Sequence, residues 1–91
     1  MKITLKDAIE RCKNHDKKYN VNTQISVYLT AIGNDNKRHT VIINPDSERF
    51  MDRMTLTGFE DCIVTDINRF IISDTYHLLV VIVDVEAQWG D

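Results

Sequence analysis

Apolar positions along this chain return first with a helical period and then with a period of two. Between residues 5 and 19, Leu5, Ala8, Ile9, Cys12 and Tyr19 recur at helical spacing, and Thr4 followed by Asp7 offers an N-cap with an acidic first turn. The pattern predicts a helix over 5–18. Around its axis the apolar side chains form one stripe, with Lys2, Lys6, Lys13 and Lys17 along one edge, so the helix is expected to lie on a sheet with lysines at its border.

From Gln24 onward the period is two. Ile25, Val27, Leu29 and Ala31 alternate with Gln24, Ser26, Tyr28 and Thr30, the signature of a half-buried strand over 24–32. Gly33, Asn34, Asp35 and Asn36 are turn formers, and 38–44 resumes a β-branched run through Val41, Ile42 and Ile43, which makes a hairpin. Asn44 as cap and Pro45 at the first helical position predict a short helix burying Phe50, Met51 and Met54. An extended run over 50–56 is the alternative, and 55–58 is expected to be irregular or extended in either case. Ile63, Val64, Ile67, Phe70, Ile71 and Ile72 within 60–72, a tight turn at Ser73, Asp74 and Thr75, and the apolar run 76–85 predict a second hairpin.

The last strand carries Leu78, Val80 and Ile82 on one face and Leu79, Val81 and Val83 on the other, and a strand apolar on both faces needs cover on both. The first helix covers only one face of a four-stranded sheet. The other face calls for the 45–54 segment, the tail around Trp89, or a second subunit, so a homodimer or an obligate partner is expected. The fold expected is α+β: an N-terminal helix packed on a mostly antiparallel four-stranded sheet made of two β-hairpins, with a short helix between them. A chain of 91 residues at this composition is expected to be one small domain, 1–91, with a modest core.

Charge changes the picture more than composition does. The formal net charge of −3 argues against a general phosphate-backbone binder, yet the charge is unevenly spread. Lys2, Lys6, Arg11, Lys13, Lys17 and Lys18 outweigh Asp7, Glu10 and Asp16 in the first stretch, and no lysine follows Lys37. Acidic side chains dominate the second half, where Asp46, Glu48, Asp52, Glu60, Asp61, Asp66, Asp74, Asp84, Glu86 and Asp91 face only Arg49, Arg53 and Arg69. The absence of a secretory apolar stretch behind Met1 and Lys2, with only Cys12 and Cys62, leads to the expectation of free thiols in a reducing cytoplasm. The longest apolar run, Leu78 to Val83, falls far short of the roughly 20 residues of a membrane span, so no membrane partner is expected.

Catalytic and metal chemistry find little support. Cys12, His15, Cys62, His39 and His77 supply zinc donors, but only one close pair exists and Cys12 projects into the apolar stripe. Asp84 and Glu86, with Glu60, Asp61 and Asp66 near them, could hold Mg²⁺ for phosphodiester chemistry, yet no lysine follows at the nuclease spacing. Ser26, Ser47 and Ser73 with His39 and His77 make no recognisable nucleophile set, and Gly33, Gly58 and Gly90 form no phosphate loop. No enzyme activity, no cofactor and no metal are therefore expected.

Binding is the function these residues favour. An acidic surface built from Glu60, Asp61, Asp66, Asp84 and Glu86, with Trp89 as an aromatic anchor, suits a protein partner with a basic surface, as when small inhibitors of nucleic-acid enzymes imitate a phosphate backbone. The expectation is a non-enzymatic regulator or inhibitor, of the kind phages and mobile elements encode, that docks on a basic nucleic-acid-handling site. A nucleic-acid-associated module working through Lys2, Lys6, Lys13 and Lys17 is the second reading and is disfavoured by the acid elsewhere; a carboxylate-metal enzyme is the third.

Overall fold

The computed structural model describes residues 2–86. Trp89, one of the expected contact residues, lies outside them. The elements run α1 (Leu5–Tyr19), β1 (Asn22–Ile32), β2 (Arg38–Ile43), α2 (Phe50–Phe59), β3 (Asp66–Ser73) and β4 (Tyr76–Asp84). The class is α+β, as the residue pattern predicts.

Local chemistry accounts for the first helix. The Thr4 hydroxyl accepts from the Asp7 N–H at 3.2 Å, Asp7 occupies the positive first turn, and Lys17 and Lys18 occupy the negative last turn. Asn20 ends the helix in the left-handed region at φ 54°, where asparagine is tolerated, and returns its N–H to the Asp16 carbonyl. Leu5, Ala8 and Cys12 are buried and Ile9 packs beside them. Tyr19, expected in the same stripe, is 58% exposed, because the last turn has run past the core; its ring lies 4.8 Å from that of His15 instead.

The two hairpins are joined through their second and first strands in the sheet order β2-β1-β4-β3. β1 pairs antiparallel with β2, and β3 antiparallel with β4, while the central pair β1 and β4 is parallel. The sheet is thus mixed. A parallel neighbour requires a long crossover, and the whole segment from β2 through α2 to β3 supplies it. The register stacks Ile43, Val27, Val81 and Ile67 in one row, Val41, Leu29 and Val83 in the next, and Ile25, Leu79 and Arg69 in a third. These rows face α1, and their central members form the core with Leu5 and Cys12.

The connecting helix departs from expectation. Asn44 builds a turn rather than a helix cap, its side chain accepting from the Asp46 N–H at 2.8 Å and its carbonyl from Ser47 at 2.9 Å. Helix α2 starts only at Phe50 and continues through 55–58, which had been expected to be non-helical. Thr55 and Thr57 are accommodated by donating their hydroxyls to the carbonyls of Met51 and Arg53. Leu56 and Phe59 pack against the core, which turns Phe50, Met51 and Met54 outward at 73%, 67% and 55% exposure. The segment 60–65, expected to open the second hairpin, is instead a turn tied to the start of α1 through a bridge between Thr4 and Ile63.

Both helices therefore sit on one side of the sheet. Leu5, Ile9, Lys6 and Lys13 of α1 line a shared crevice with Pro45, Leu56, Thr57 and Glu60, and the smallest extent of the molecule, 21 Å, matches two layers of about 10 Å each. Layer assignment makes a sharp prediction. Leu5→Ala should cost roughly 3–5 kcal/mol in urea denaturation, whereas Met54→Ala on the outer side of α2 should stay within about 0.5 kcal/mol. Equal losses at the two positions would reverse the assigned orientation of α2.

Candidate functional site

The side of the sheet away from the helices is formed by the alternate residues of each strand. Cross-strand rows place Ile42, Tyr28, Ile82 and Asp66 together, then Ser26, Val80 and Asn68, then Gln24, Leu78 and Phe70. Ile42 and Phe70 are 59% and 52% exposed, and Leu78, Val80, Ile82 and Tyr28 are half-buried only by one another. Among the described residues nothing packs over this face. The 45–54 segment does not supply the cover that the two-sided apolar strand requires, because α2 lies beside α1.

Carboxylates gather at one end of that face. Asp66 ends the row of Ile42, Tyr28 and Ile82, and Asp84 occupies the next row beside Thr30. Asp84 is tied into the sheet: its N–H donates to the Thr65 hydroxyl at 2.8 Å, its Oδ1 accepts from the Glu86 N–H at 3.0 Å, and Arg38 reaches its Oδ2 at 3.5 Å while donating to Thr30 Oγ1 at 2.8 Å. Glu60 and Asp61 lie at the same end but in the helical layer, where the Glu60 carbonyl accepts from the Lys6 N–H. Asp66, Asp84 and Glu86 thus share the open face, and Glu60 and Asp61 extend the acidic end around its edge.

The lysines occupy the other layer. Lys6 and Lys13 border the crevice between the helices together with Glu10, and Lys13 reaches Asp46 at 3.7 Å. Lys13, Lys17 and Glu10 share a further shallow depression, so the basic edge is interrupted by acid. Lys2 is exposed before the helix begins.

A part-buried polar cluster forms where α1 meets β1, β4 and β3, with Thr23 and His77 buried and Arg69 reaching in from the exposed strand β3, and residue pattern alone gave no warning of it because its members are far apart in the chain. Asp16 accepts from the Thr23 N–H at 2.9 Å and from the Thr23 hydroxyl at 2.6 Å. Arg69 Nη1 donates to His77 Nδ1 at 2.9 Å and to Thr23 Oγ1 at 3.3 Å, and Nη2 points to Cys12 Sγ at 3.8 Å. His15 Nδ1 is buried 3.5 Å from Asp16 Oδ1, short of a well-formed hydrogen bond. Burial pushes the Asp16 carboxyl up, but the Thr23 hydrogen bonds, His15 and the Arg69 charge outweigh it and hold the group below the ordinary value of 3.8.

The two thiols sit in different settings, Cys12 buried and Cys62 half-buried. Cys62 is pushed up from 9.0 by burial and by the Asp61 carboxylate, which keeps it a thiol at neutral pH and a weak nucleophile. Cys12 belongs to the core. His39 lies at the first hairpin turn against Asp35 at 2.9 Å, its ring filling the space that a Cβ on Gly33 would occupy. Among the described residues no three His, Cys, Asp or Glu side chains converge as a metal would need.

Fold and site together define a two-layer α+β protein with one bare sheet face and an acidic end. No known protein family matches the chain, and no curated protein or solved structure matches it either. Among the described residues no helix is long and apolar enough to cross a membrane.

Two outcomes follow from the polar cluster. A carboxyl depressed in the folded state stabilises fully above its unfolded value and loses that contribution as pH falls through the folded one. Asp16→Ala should therefore cost roughly 2 kcal/mol at neutral pH, and the gap between variant and wild type should close as acid takes the pH below 3.8. Thermal melts across that range would show the convergence; a constant gap would remove Asp16 from the cluster's electrostatics.

Proposed function

We propose that this protein is a non-enzymatic binding module that docks through the bare sheet face and its acidic end onto a protein carrying an apolar strip flanked by basic side chains. The single observation that carries the reading is the coincidence of the two features: Ile42, Tyr28, Ile82 and Val80 form a continuous apolar patch, and Asp66, Asp84 and Glu86 stand at its border. An apolar centre with a charged rim is the usual anatomy of a protein interface. Rim charges of one sign steer a partner of the opposite sign and set its orientation more than they set affinity.

The size of the face supports the same reading. Four strands at about 4.8 Å spacing and about 30 Å length give a planar area near 600 Å². Side-chain relief brings this close to the roughly 800 Å² per partner of a standard interface. Basic surfaces are characteristic of nucleic-acid-handling proteins, so the most concrete version is a small regulator or inhibitor that occupies such a site in the cytoplasm. The lysine edge of α1 is less suited to that role, since Glu10 interrupts it and Lys13 already faces Asp46.

Capture from a bacterial lysate, with and without nuclease, tests the proposal when it is paired with surface variants. One stoichiometric protein should survive nuclease treatment, be released by salt, and be lost by the combined Asp61→Lys, Asp66→Lys and Glu86→Lys variant and by Val80→Asp, but not by Lys6→Ala with Lys13→Ala and Lys17→Ala. Recovery of nucleic acid alone, or a dependence on the lysines, overturns it. An empty column with a dimer in sedimentation would assign the face to a second copy.

A further inference from the structure

The helical layer does not cover the whole sheet. Helix α1 lies over β1 and β4, and β3 extends beyond it, leaving Ile67 and Ile71 of its inner row 44% and 70% exposed. Between α1 and β3 runs an open groove of about 500 Å³ lined by Ile3, Ala8, Ile67 and Leu79, with Cys12, His15, Arg11 and Arg69. That volume lies within the range of about 300–1,000 Å³ typical of small-molecule sites. The walls are apolar and the two full charges are both positive. Among the described residues no Asp or Glu lines the groove.

Arg69 is the informative residue. Neutral acceptors hold its guanidinium, His77 Nδ1 and Thr23 Oγ1 on Nη1, and among the described residues no carboxylate comes within ion-pair distance of it. Its charge is therefore not neutralised by a direct partner, although Asp16 lies in the same cluster with both oxygens engaged by Thr23. A guanidinium carries five N–H donors, and among the described residues the edge formed by Nε and Nη2 has only the weak contact to Cys12 Sγ. That edge is the fork that matches a carboxylate with two parallel hydrogen bonds. Arg11 makes no ion pair among the described residues and stands exposed at the same groove.

We propose that the groove between α1 and β3 binds a small organic carboxylate with an apolar tail, its head held by the Arg69 fork and Arg11 and its tail lying on Ile3, Ala8, Ile67 and Leu79. Charge complementarity selects the head, and the apolar side chains of Ile3, Ala8, Ile67 and Leu79 select the tail. The site is on the helix side of the sheet and is independent of the docking face proposed above.

Decanoate titrated into the 91-residue chain, with acetate and decanol as controls, tests the site by calorimetry and by amide shifts at Ile67 and Arg69. Decanoate should saturate one site, acetate should fail for want of a tail, and decanol should bind about tenfold or more weaker for want of the head. Arg69→Gln should abolish binding. Because that change also removes bonds to His77 and Thr23, the exposed Arg11→Gln variant serves as the second readout and should weaken decanoate several-fold with an unchanged melting temperature. Asp61→Lys should leave decanoate binding as it was. Absence of saturation, equal affinity for decanol, or indifference to both arginine variants would overturn the assignment.

Discussion

The parallel contact between β1 and β4 is the constraint on which the rest of the structure depends. Each hairpin is local and would be marginal alone, but pairing along β1 from Asn22 to Thr30 creates one continuous row system and buries Ile25, Val27, Leu79, Val81 and Val83 together. Helix α1 has its apolar stripe matched to that surface and no other. The pairing joins residues near opposite ends of the chain, so its loop-closure entropy must be met before the core rewards it, and the hairpins are the natural units to form first.

A two-layer arrangement centred on that pair has a geometric consequence. Among the described residues, both helices on one side leave the other side bare, and a helical layer centred on β1 and β4 leaves β3 uncovered on the helical side too. Charge follows the same division. Asp66, Asp84 and Glu86 gather beside the bare face, whereas Arg11 and Arg69 line the groove beneath α1. The two proposed sites thus carry local charge of opposite sign on opposite sides of one sheet, so the ligands proposed for them differ in charge.

Much of this was legible in the residues. The period-two alternation of 24–32 and the doubly apolar run 78–83 marked the two central strands, and Thr4 with Asp7 marked the start of α1. The shortage of cover for the second face was also legible, from Leu78, Val80 and Ile82. What was not legible was anything decided by tertiary contact. Phe50, Met51 and Met54 have helical spacing and look like a core face, but α2 is short of core to share, and Leu56 with Phe59 wins the position against α1. The part-buried cluster of Asp16, Thr23, Arg69 and His77 joins four elements, and no local pattern links such residues. Of the expected contact residues, Asp66, Asp84 and Glu86 come together, while Glu60 and Asp61 are displaced to the helical layer by the bridge of Thr4 to Ile63.

Strand β3 is where these features meet. Its alternate residues serve different surfaces: Asp66, Asn68 and Phe70 belong to the bare face, and Ile67, Arg69 and Ile71 belong to the groove side. A slip of one residue against β4 would exchange the two sets, sending Arg69 to the apolar patch and Phe70 to the groove. Three features oppose that slip. The Thr65 N–H and hydroxyl both donate to the Ile82 carbonyl at the start of the strand, Arg69 is anchored to His77 and Thr23 in its middle, and a bulge between Ile71 and Ser73 ends the regular pairing. The part-buried polar cluster therefore does for register what the apolar side chains of β3, exposed along the whole strand, are too poorly packed to do.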